Sequence, residues 1–184
     1  MAPSVSILAI FLSPMTEELG WSRTLIAGAV SVGAIASIFV SPMVGWAVDR
    51  YGARLILSVS MVVLGVAITS LAWATIPALF YLGFATGRVV FHVPVQIGSG
   101  AVVSRWFIRK RGRAIGLIYL AGAAGNILGI QIASLVISHW SISAAWIALG
   151  ITVVAVSVLP AALLIVERPE DLGLEPDGLP PNYA

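Results

Sequence analysis

The composition of this chain of 184 residues excludes an ordinary water-soluble domain: 59% of the residues are hydrophobic, only 10% are charged, and the mean hydropathy is +1.03, whereas soluble domains carry about 25% charged residues. There is no cysteine and there are only two, widely separated histidines, so neither a disulfide framework nor a metal site is expected, and no cofactor is predicted. The net charge of +2 is too small to indicate nucleic acid as a partner, and most of the surface is expected to face lipid.

Five apolar runs are long enough to cross roughly 30 Å of hydrocarbon as helices. They cover residues 25–48, 55–73, 76–103, 114–137 and 144–166. A shorter run, residues 5–15, comes first and reaches only about 17 Å as a helix, so we interpret it as part of a first span whose beginning is missing. A cleavable signal peptide is the alternative, but no Lys or Arg precedes this run. The sequence predicts an all-α fold: a polytopic membrane helix bundle with five full transmembrane helices plus a truncated first one.

Positive charge collects on one side of the membrane if every run crosses it once. Eight of the ten Lys and Arg residues are then on that side: Arg50, Arg54, Arg105, Arg109, Lys110, Arg111, Arg113 and Arg168. Because loops on the cytoplasmic side are rich in Lys and Arg, both chain ends are expected to be cytoplasmic, in a plasma membrane such as a bacterial inner membrane. Residues 167–184 are polar and proline-rich, so they are expected to form a cytoplasmic tail or the start of a central loop.

The turn between the second and third runs has the pattern Gly-x-x-x-Asp-Arg-x-Gly-x-Arg. The residues of this pattern are Gly45, Asp49, Arg50, Gly52 and Arg54. Gly52 permits a tight reversal with a positive φ, and Asp49 ends one helix near the first turn of the next, where the helix dipole favours an anion. The arginines are expected to extend to the lipid headgroups. A purely structural interpretation stays open, because any short cytoplasmic loop needs a turn and some positive charge.

This pattern resembles the signature of the major facilitator superfamily of secondary transporters. Three further segments are similar to segments of that family: Gly87-Arg88-Val89-Val90, the stretch from Trp106 to Gly116, and Arg168-Pro169-Glu170-Asp171-Leu172-Gly173. The resemblance implies the N-terminal six-helix half of a carrier that works by alternating access, closest in look to carriers of monocarboxylates and other organic anions. It also implies that Gly45, Asp49, Arg50, Gly52 and Arg54 act as a cytoplasmic gate.

One polar position lies deep in the fourth run. Arg88 is about twelve residues from its start, where insertion scales put the cost of a guanidinium at roughly 2.5–3.5 kcal/mol. His92 and Gln96 follow at intervals of four, so on a regular helix they would form one polar stripe with Arg88. We interpret the stripe as facing the translocation pathway, with Arg88 binding a carboxylate through two hydrogen bonds, His92 as a proton-sensitive neighbour and Gln96 as a neutral partner. Alternatively, Arg88 binds backbone carbonyls or a polar residue of another helix and locks the bundle.

Two amides in the fifth run, Asn126 and Gln131, are further candidates for the pathway, although an amide in a membrane bundle usually joins helices. Rows of small residues follow the second and fifth runs at four-residue intervals. The rows are Ala29, Gly33, Ser37, Ser41 and Gly45 in the second run, and Ala121, Gly125, Gly129 and Ala133 in the fifth. Such rows let helices approach closely, either inside this bundle or, as the resemblance implies, against a second six-span half.

The predicted function is secondary active transport of a small organic solute, specifically an organic anion such as a monocarboxylate. The expected partners are membrane lipid, that solute, and either a missing C-terminal half or a second copy, since we interpret the chain as a fragment. A drug or metabolite efflux carrier and a non-transporting membrane scaffold or sensor are the alternatives. An enzyme is not predicted, because no catalytic triad or carboxylate pair can be assembled from the spans. No Asp or Glu lies between Asp49 and Glu167, so proton coupling within this segment would depend on His92.

Overall fold

Six helices make up nearly all of the part of the chain that the computed structural model describes, residues 5–166 and 168–178. Their bounds are α1 Val5–Leu19, α2 Arg23–Tyr51, α3 Ala53–Ser70, α4 Pro77–Trp106, α5 Arg111–His139 and α6 Ile142–Leu164. Short 3₁₀ turns follow at Leu71–Trp73, Pro169–Leu172 and Pro176–Gly178. Glu167 and residues 179–184 of the predicted tail lie outside the described residues.

Helices α2 to α6 are long and apolar enough to cross a membrane, which confirms the predicted all-α membrane bundle. Helix α1 has 15 residues, about 22 Å at 1.5 Å per residue, and continues to Leu19 rather than ending near residue 15. The other helices also extend a few residues beyond the predicted apolar runs at most of their ends. We call the end that holds the α2–α3 turn, the α4–α5 loop and the segment after α6 the basic end.

Local chemistry explains where several helices begin. The hydroxyl of Ser22 accepts a hydrogen bond from the N–H of Leu25 at the start of α2, and Ser141 does the same for Ala144 at the start of α6. Both serines are therefore N-caps, which satisfy N–H groups that have no partner within the helix. Between α2 and α3 a single residue, Gly52, reverses the chain.

The main core lies at the end of the bundle opposite the basic end. There, Phe11 of α1 stacks on Trp146 of α6 with ring centroids 3.8 Å apart. Trp21 packs edge-on against Phe80 of α4 at 5.5 Å. These rings are buried in one cluster with residues of α2 and α3, so the short helix α1 is a packed member of the bundle.

Helices α3 and α6 approach each other closely at two glycines, Gly65 and Gly150. A Cβ atom built on Gly150 would collide with the hydroxyl of Thr69 and lie 2.8 Å from the carbonyl oxygen of Gly65. A Cβ atom built on Gly65 would collide in turn with Val154. Because packing drives helix association in lipid, this reciprocal contact is a major source of the stability of the bundle. The small-residue rows predicted from the sequence did not include either glycine.

Candidate functional site

Arg88 lies between α4 and α2, with its side chain laid across Gly33. A Cβ atom built on Gly33 would be 2.8 Å from Cδ of Arg88, 3.1 Å from its Cβ and 3.3 Å from Cα of Ala85. Gly33 is buried, and the absence of its side chain is what lets the stem of Arg88 pass over α2. The small-residue row of α2 thus has a partner inside this bundle at Gly33.

One donor of the Arg88 guanidinium is left without a partner by the described helices around it. Its Nε atom is buried and has no hydrogen-bond partner among the described residues, and no Asp or Glu occurs anywhere from residue 50 to residue 166. A buried donor without a partner costs about 1–3 kcal/mol, and more when it is charged. Such a group calls for a physical explanation, and an anionic ligand would provide one by accepting its hydrogen bonds.

A second contact between α4 and α2 fixes the position of α4 along α2, and with it the position of Arg88. The hydroxyl of Tyr81, two turns earlier on α4, donates a hydrogen bond of 2.7 Å to the carbonyl oxygen of Leu25 on α2. A Cβ atom on Gly28 would collide with this hydroxyl. Gly28 and Gly33 therefore receive Tyr81 and Arg88 respectively. The sequence indicated Gly33 and Arg88 separately but not their contact, and it indicated neither Gly28 nor Tyr81. The spacing of seven residues between Tyr81 and Arg88, two helical turns, was the available signal.

Gly33→Ala is expected to disturb Arg88 without unfolding the bundle. The new methyl group would press on the backbone of Ala85 as well as on Arg88, so α4 must shift by a few tenths of an ångström. On the sequence-based prediction that the chain transports a solute, we expect the apparent KM for that solute to rise roughly fivefold, equivalent to about 1 kcal/mol. Gly100→Ala on the same helix α4 is the control, because a Cβ atom there meets nothing within 4 Å. Equal KM values for the two variants would contradict the role given to Gly33.

The fourth helix changes geometry directly after Arg88. Residues Phe91–Val95 are π-helical and contain Pro94, which has no N–H to donate. A π segment inserts an extra residue into the turn, so Gln96, which follows it, is out of the regular helical register with Arg88 that the sequence predicted. Both side chains are exposed on this unit, while Arg88 is partly buried, and the ring of His92 contacts Phe91 edge-on at 5.3 Å.

The two candidate amides are on α5, whereas Arg88 is on α4. Asn126 is partly buried and Gln131 is exposed. On the same helix Gly129 is buried, whereas a Cβ atom on Gly125 would meet nothing within 4 Å. The row of small residues on α5 is therefore packed at one end and open at the other within this unit.

The remaining serines of the row on α2 satisfy their hydroxyls within their own helix. Ser37 donates to the carbonyl oxygen of Gly33 at 2.8 Å, and Ser41 donates to that of Ser37 at 2.7 Å. Hydroxyls that bond one turn back along the helix leave a surface without unmet donors. A Cβ atom on Gly45, at the end of the row, would meet nothing within 4 Å. The part of the row from Ser37 to Gly45 is therefore a surface of small residues against which another helix could pack closely.

The turn at the basic end has the conformation that glycine permits. Gly52 has φ 87° and ψ 153°, a region that residues with a Cβ atom rarely adopt, and its N–H donates to the carbonyl oxygen of Val48 at 3.0 Å. Asp49 is exposed, and α3 begins without a side-chain cap. The expectation that the charge of Asp49 lies near the first turn of α3, where the helix dipole favours an anion, stays a prediction.

The two arginines of the turn make protein contacts rather than simply extending outward. The guanidinium carbon of Arg50 lies 5.5 Å from the ring centroid of Trp46 and 5.8 Å from that of Tyr51, within range of a cation–π interaction. Nε of Arg54 donates a 2.7 Å hydrogen bond to the carbonyl oxygen of Ala162 in the last turn of α6. This bond satisfies a carbonyl that has no partner within the helix and places positive charge at the negative end of the dipole.

The family comparison covers nearly the whole chain. The sequence profile described as Major Facilitator Superfamily matches residues 1–181. No solved structure gives a significant match.

Curated relatives are more distant and much longer. The chain is 27% identical to "Probable anion transporter 4, chloroplastic" of Arabidopsis thaliana, over 79% of this chain and 28% of that protein. It is 26% identical to "Probable anion transporter 3, chloroplastic" of the same plant, over 77% of this chain and 28% of that protein. It is 25% identical to "Uncharacterized MFS-type transporter YcxA" of Bacillus subtilis (strain 168), over 86% of this chain and 39% of that protein. The chain therefore spans well under half of the length of these relatives.

Proposed function

The chain belongs to the Major Facilitator Superfamily, and from this premise we propose that it forms part of a secondary carrier that moves a small organic anion, such as a monocarboxylate, by alternating access. The observation that carries the proposal is the partly buried guanidinium of Arg88 with its unpartnered Nε. Two relatives whose names describe them as anion transporters support the same class of solute.

Arg88 has the chemistry to select a carboxylate. A guanidinium presents a planar set of N–H donors that matches two carboxylate oxygens, and such charge-assisted pairs are roughly twice as strong as neutral hydrogen bonds. The stem of Arg88 is held between α4 and Gly33, which limits the positions that its donors can reach. His92, one turn along α4 and exposed on this unit, is the proposed proton-sensitive neighbour.

The carrier is completed by surfaces outside this chain. In the most apolar 18-residue stretch of α2, only 17% is buried inside the six-helix unit, and in that of α5 only 11% is buried. We propose that these faces pack against a second six-helix half, or a second copy of this unit, and move against it as the pathway opens to alternate sides. In this arrangement the present chain supplies one wall of the pathway, with Arg88 near its middle.

The proposed orientation places the basic end in the cytoplasm of a cell whose plasma membrane holds the carrier. The clustering of Lys and Arg at that end supports it. Asp49, Arg50 and Arg54 are proposed to belong to the cytoplasmic gate. The contact of Arg54 with α6 and of Arg50 with Trp46 and Tyr51 ties this turn to the bundle that would move.

Uptake into proteoliposomes tests the proposed class of solute. The protein, expressed from its natural gene, would be offered radiolabelled acetate, lactate and benzoate together with acetamide, lactamide and benzamide, which have nearly the same shapes without the charge. We expect saturable uptake of at least one carboxylate and none of its amide. Saturable uptake of amides alone, or of organic cations alone, would contradict the proposal.

A further inference from the structure

The segment after α6 folds back across the basic end of the bundle. The indole Nε1 of Trp106, at the end of α4, donates a 2.8 Å hydrogen bond to the carbonyl oxygen of Val166. Pro169 is fully buried, although it begins a 3₁₀ turn in a segment rich in charge. These contacts hold the polar segment against the helix ends.

One carboxylate of this segment, that of Asp177, accepts hydrogen bonds from two backbone N–H groups. Oδ2 of Asp177 accepts a hydrogen bond from the N–H of Arg109 at 2.9 Å, and Oδ1 accepts one from the N–H of Lys110 at 3.3 Å. Helix α5 begins at the next residue, and its own N-cap residue, Lys110, provides no side-chain cap. Asp177 therefore accepts hydrogen bonds, from at least 67 residues away, from two N–H groups of the loop directly before α5.

The backbone at Asp177 indicates that this contact is held in place. Its φ is 65° and its ψ is 9°, which makes it the non-glycine residue with a positive φ in the described part of the chain. The left-handed conformation costs residues with a Cβ atom roughly 1–2 kcal/mol, although Asp tolerates it better than most. The two hydrogen bonds to the α4–α5 loop offset this cost.

The charge around Asp177 favours its ionised form. Hydrogen bonds from the backbone N–H of Arg109 first, then from those of Lys110 and Ile108, together with the charge of Lys110, lower the pKa of Asp177 below its ordinary value of 3.8, against the opposing effect of burial. The charged residues on the elements next to it are Arg105 at the end of α4, Arg109 and Lys110 in the loop, Arg111 and Arg113 at the start of α5, and Glu175 on its own segment. The dipole of α5 adds to the attraction.

We propose that Asp177 is an electrostatic clasp that fastens the segment after α6 to the start of α5, so that the basic ends of α4, α5 and α6 move as one body. The clasp includes the Trp106–Val166 bond as its second point of attachment. This inference does not depend on the solute or on the direction of transport. It explains why a polar segment that cannot form a core of its own nevertheless packs against the bundle.

The pH range of the clasp follows from the direction of the pKa shift. Because the pKa of Asp177 is lower in the folded protein than in the unfolded chain, its stabilising effect is fully present above about pH 4 and is lost as the pH falls through the folded value. The clasp therefore stays closed at every cytoplasmic pH. Substitution, rather than physiological acidification, is the way to open it.

Paired spin labels test the clasp, and the absence of cysteine from the chain makes labelling specific. Cysteines introduced at Ile108 and Leu172, both exposed, would report the distance between the loop and the segment. We expect one narrow distance in the parent protein and a broader, longer distribution in Asp177→Asn and in Asp177→Gly. Both variants lack the carboxylate, but only the Gly variant also relieves the backbone strain at this positive φ. A broader distribution in both variants therefore assigns the effect to loss of the carboxylate.

Two controls keep the result interpretable. Glu170→Gln, on the same segment and exposed, should leave the narrow distance unchanged. A second label pair at Val59 and Val156, exposed on α3 and α6, should keep its distance in every variant. An unchanged Ile108–Leu172 distance in both Asp177 variants would overturn the proposal. Broadening of the Val59–Val156 pair would also overturn it, because Asp177 would then stabilise the whole bundle rather than a local clasp.

Discussion

Gly150→Ala is expected to lower the free energy of unfolding of the helical bundle by about 1–3 kcal/mol, the usual cost of inserting a methyl group into a packed interface. The added Cβ atom would meet the hydroxyl and the backbone N of Thr69 and the carbonyl oxygen of Gly65. Rotation of one side chain cannot relieve contacts with backbone atoms, so α3 and α6 must separate. Denaturant titration in detergent micelles, followed by circular dichroism, would measure the loss.

A matched substitution on α5 should act in the opposite direction. A Cβ atom on Gly122 meets nothing within 4 Å, and alanine is a better helix former than glycine by about 0.5–1 kcal/mol. Gly122→Ala is therefore expected to stabilise the bundle slightly. If both alanine variants shifted the unfolding curve in the same direction and by the same amount, the close contact of α3 with α6 would not be a main source of stability.

Arg88→Ala is expected to reduce carboxylate uptake roughly ten- to hundredfold, because a hydrogen bond to a charged group contributes about 1.5–3 kcal/mol and each 1.4 kcal/mol is a factor of ten. Arg88→Lys should recover only part of the loss, since an ammonium keeps the charge but cannot offer the planar pair of donors. Initial rates in proteoliposomes, with protein insertion checked by immunoblot, would measure both variants.

The unfolding free energy of Arg88→Ala separates binding from a structural lock. Since Nε of Arg88 has no hydrogen-bond partner among the described residues, Arg88→Ala breaks no bond of that atom, and the fold should lose only the packing of the side-chain stem on Gly33. Arg23→Ala, exposed at the start of α2, is the control and should leave both uptake and stability unchanged. A large fall in the stability of Arg88→Ala, in proportion to its loss of uptake, would favour the structural interpretation instead.

The number and order of the long helices follow from hydropathy, but their ends do not. An apolar run ends at the first charged or strongly polar residue, whereas the helix continues past that residue because its backbone hydrogen bonds do not depend on the side chain. Helix α2 thus begins at Arg23, next to the capping residue Ser22, and continues to Tyr51, where Gly52 ends it. Helix α5 likewise begins among arginines, at Arg111. A pattern of apolar residues has no information about such caps.

Close approach between helices was only partly predictable. The row through Gly33 was visible because small residues repeat every four positions along α2. The contact of Gly65 with Gly150 has no comparable row, and pairing α3 with α6 requires knowledge of the tertiary arrangement. The π segment at Phe91–Val95 has only Pro94 as a sequence signal, and proline by itself predicts a lost hydrogen bond rather than an extra residue in the turn.

Arg88 itself could be predicted from the sequence, but its contacts with the neighbouring helix could not. A lone arginine in an apolar span is costly wherever it points, so Arg88 was identifiable from sequence. Its seat on Gly33 and the bond of Tyr81 to Leu25 depend on how α2 meets α4. Asp177 was missed for a related reason: prolines and glycines around it indicate a loop, and its partners, the N–H groups of Arg109 and Lys110, are invisible in the side-chain pattern.

The central claim is that the guanidinium of Arg88 recognises the negative charge of the solute. Competition of benzoate and of benzamide against labelled carboxylate uptake, compared between the natural protein and Arg88→Ala, measures the coupling between the two charges directly. We predict that the natural protein prefers benzoate to benzamide by at least about tenfold, and that Arg88→Ala has lost this preference. An undiminished preference for benzoate in Arg88→Ala would contradict the account.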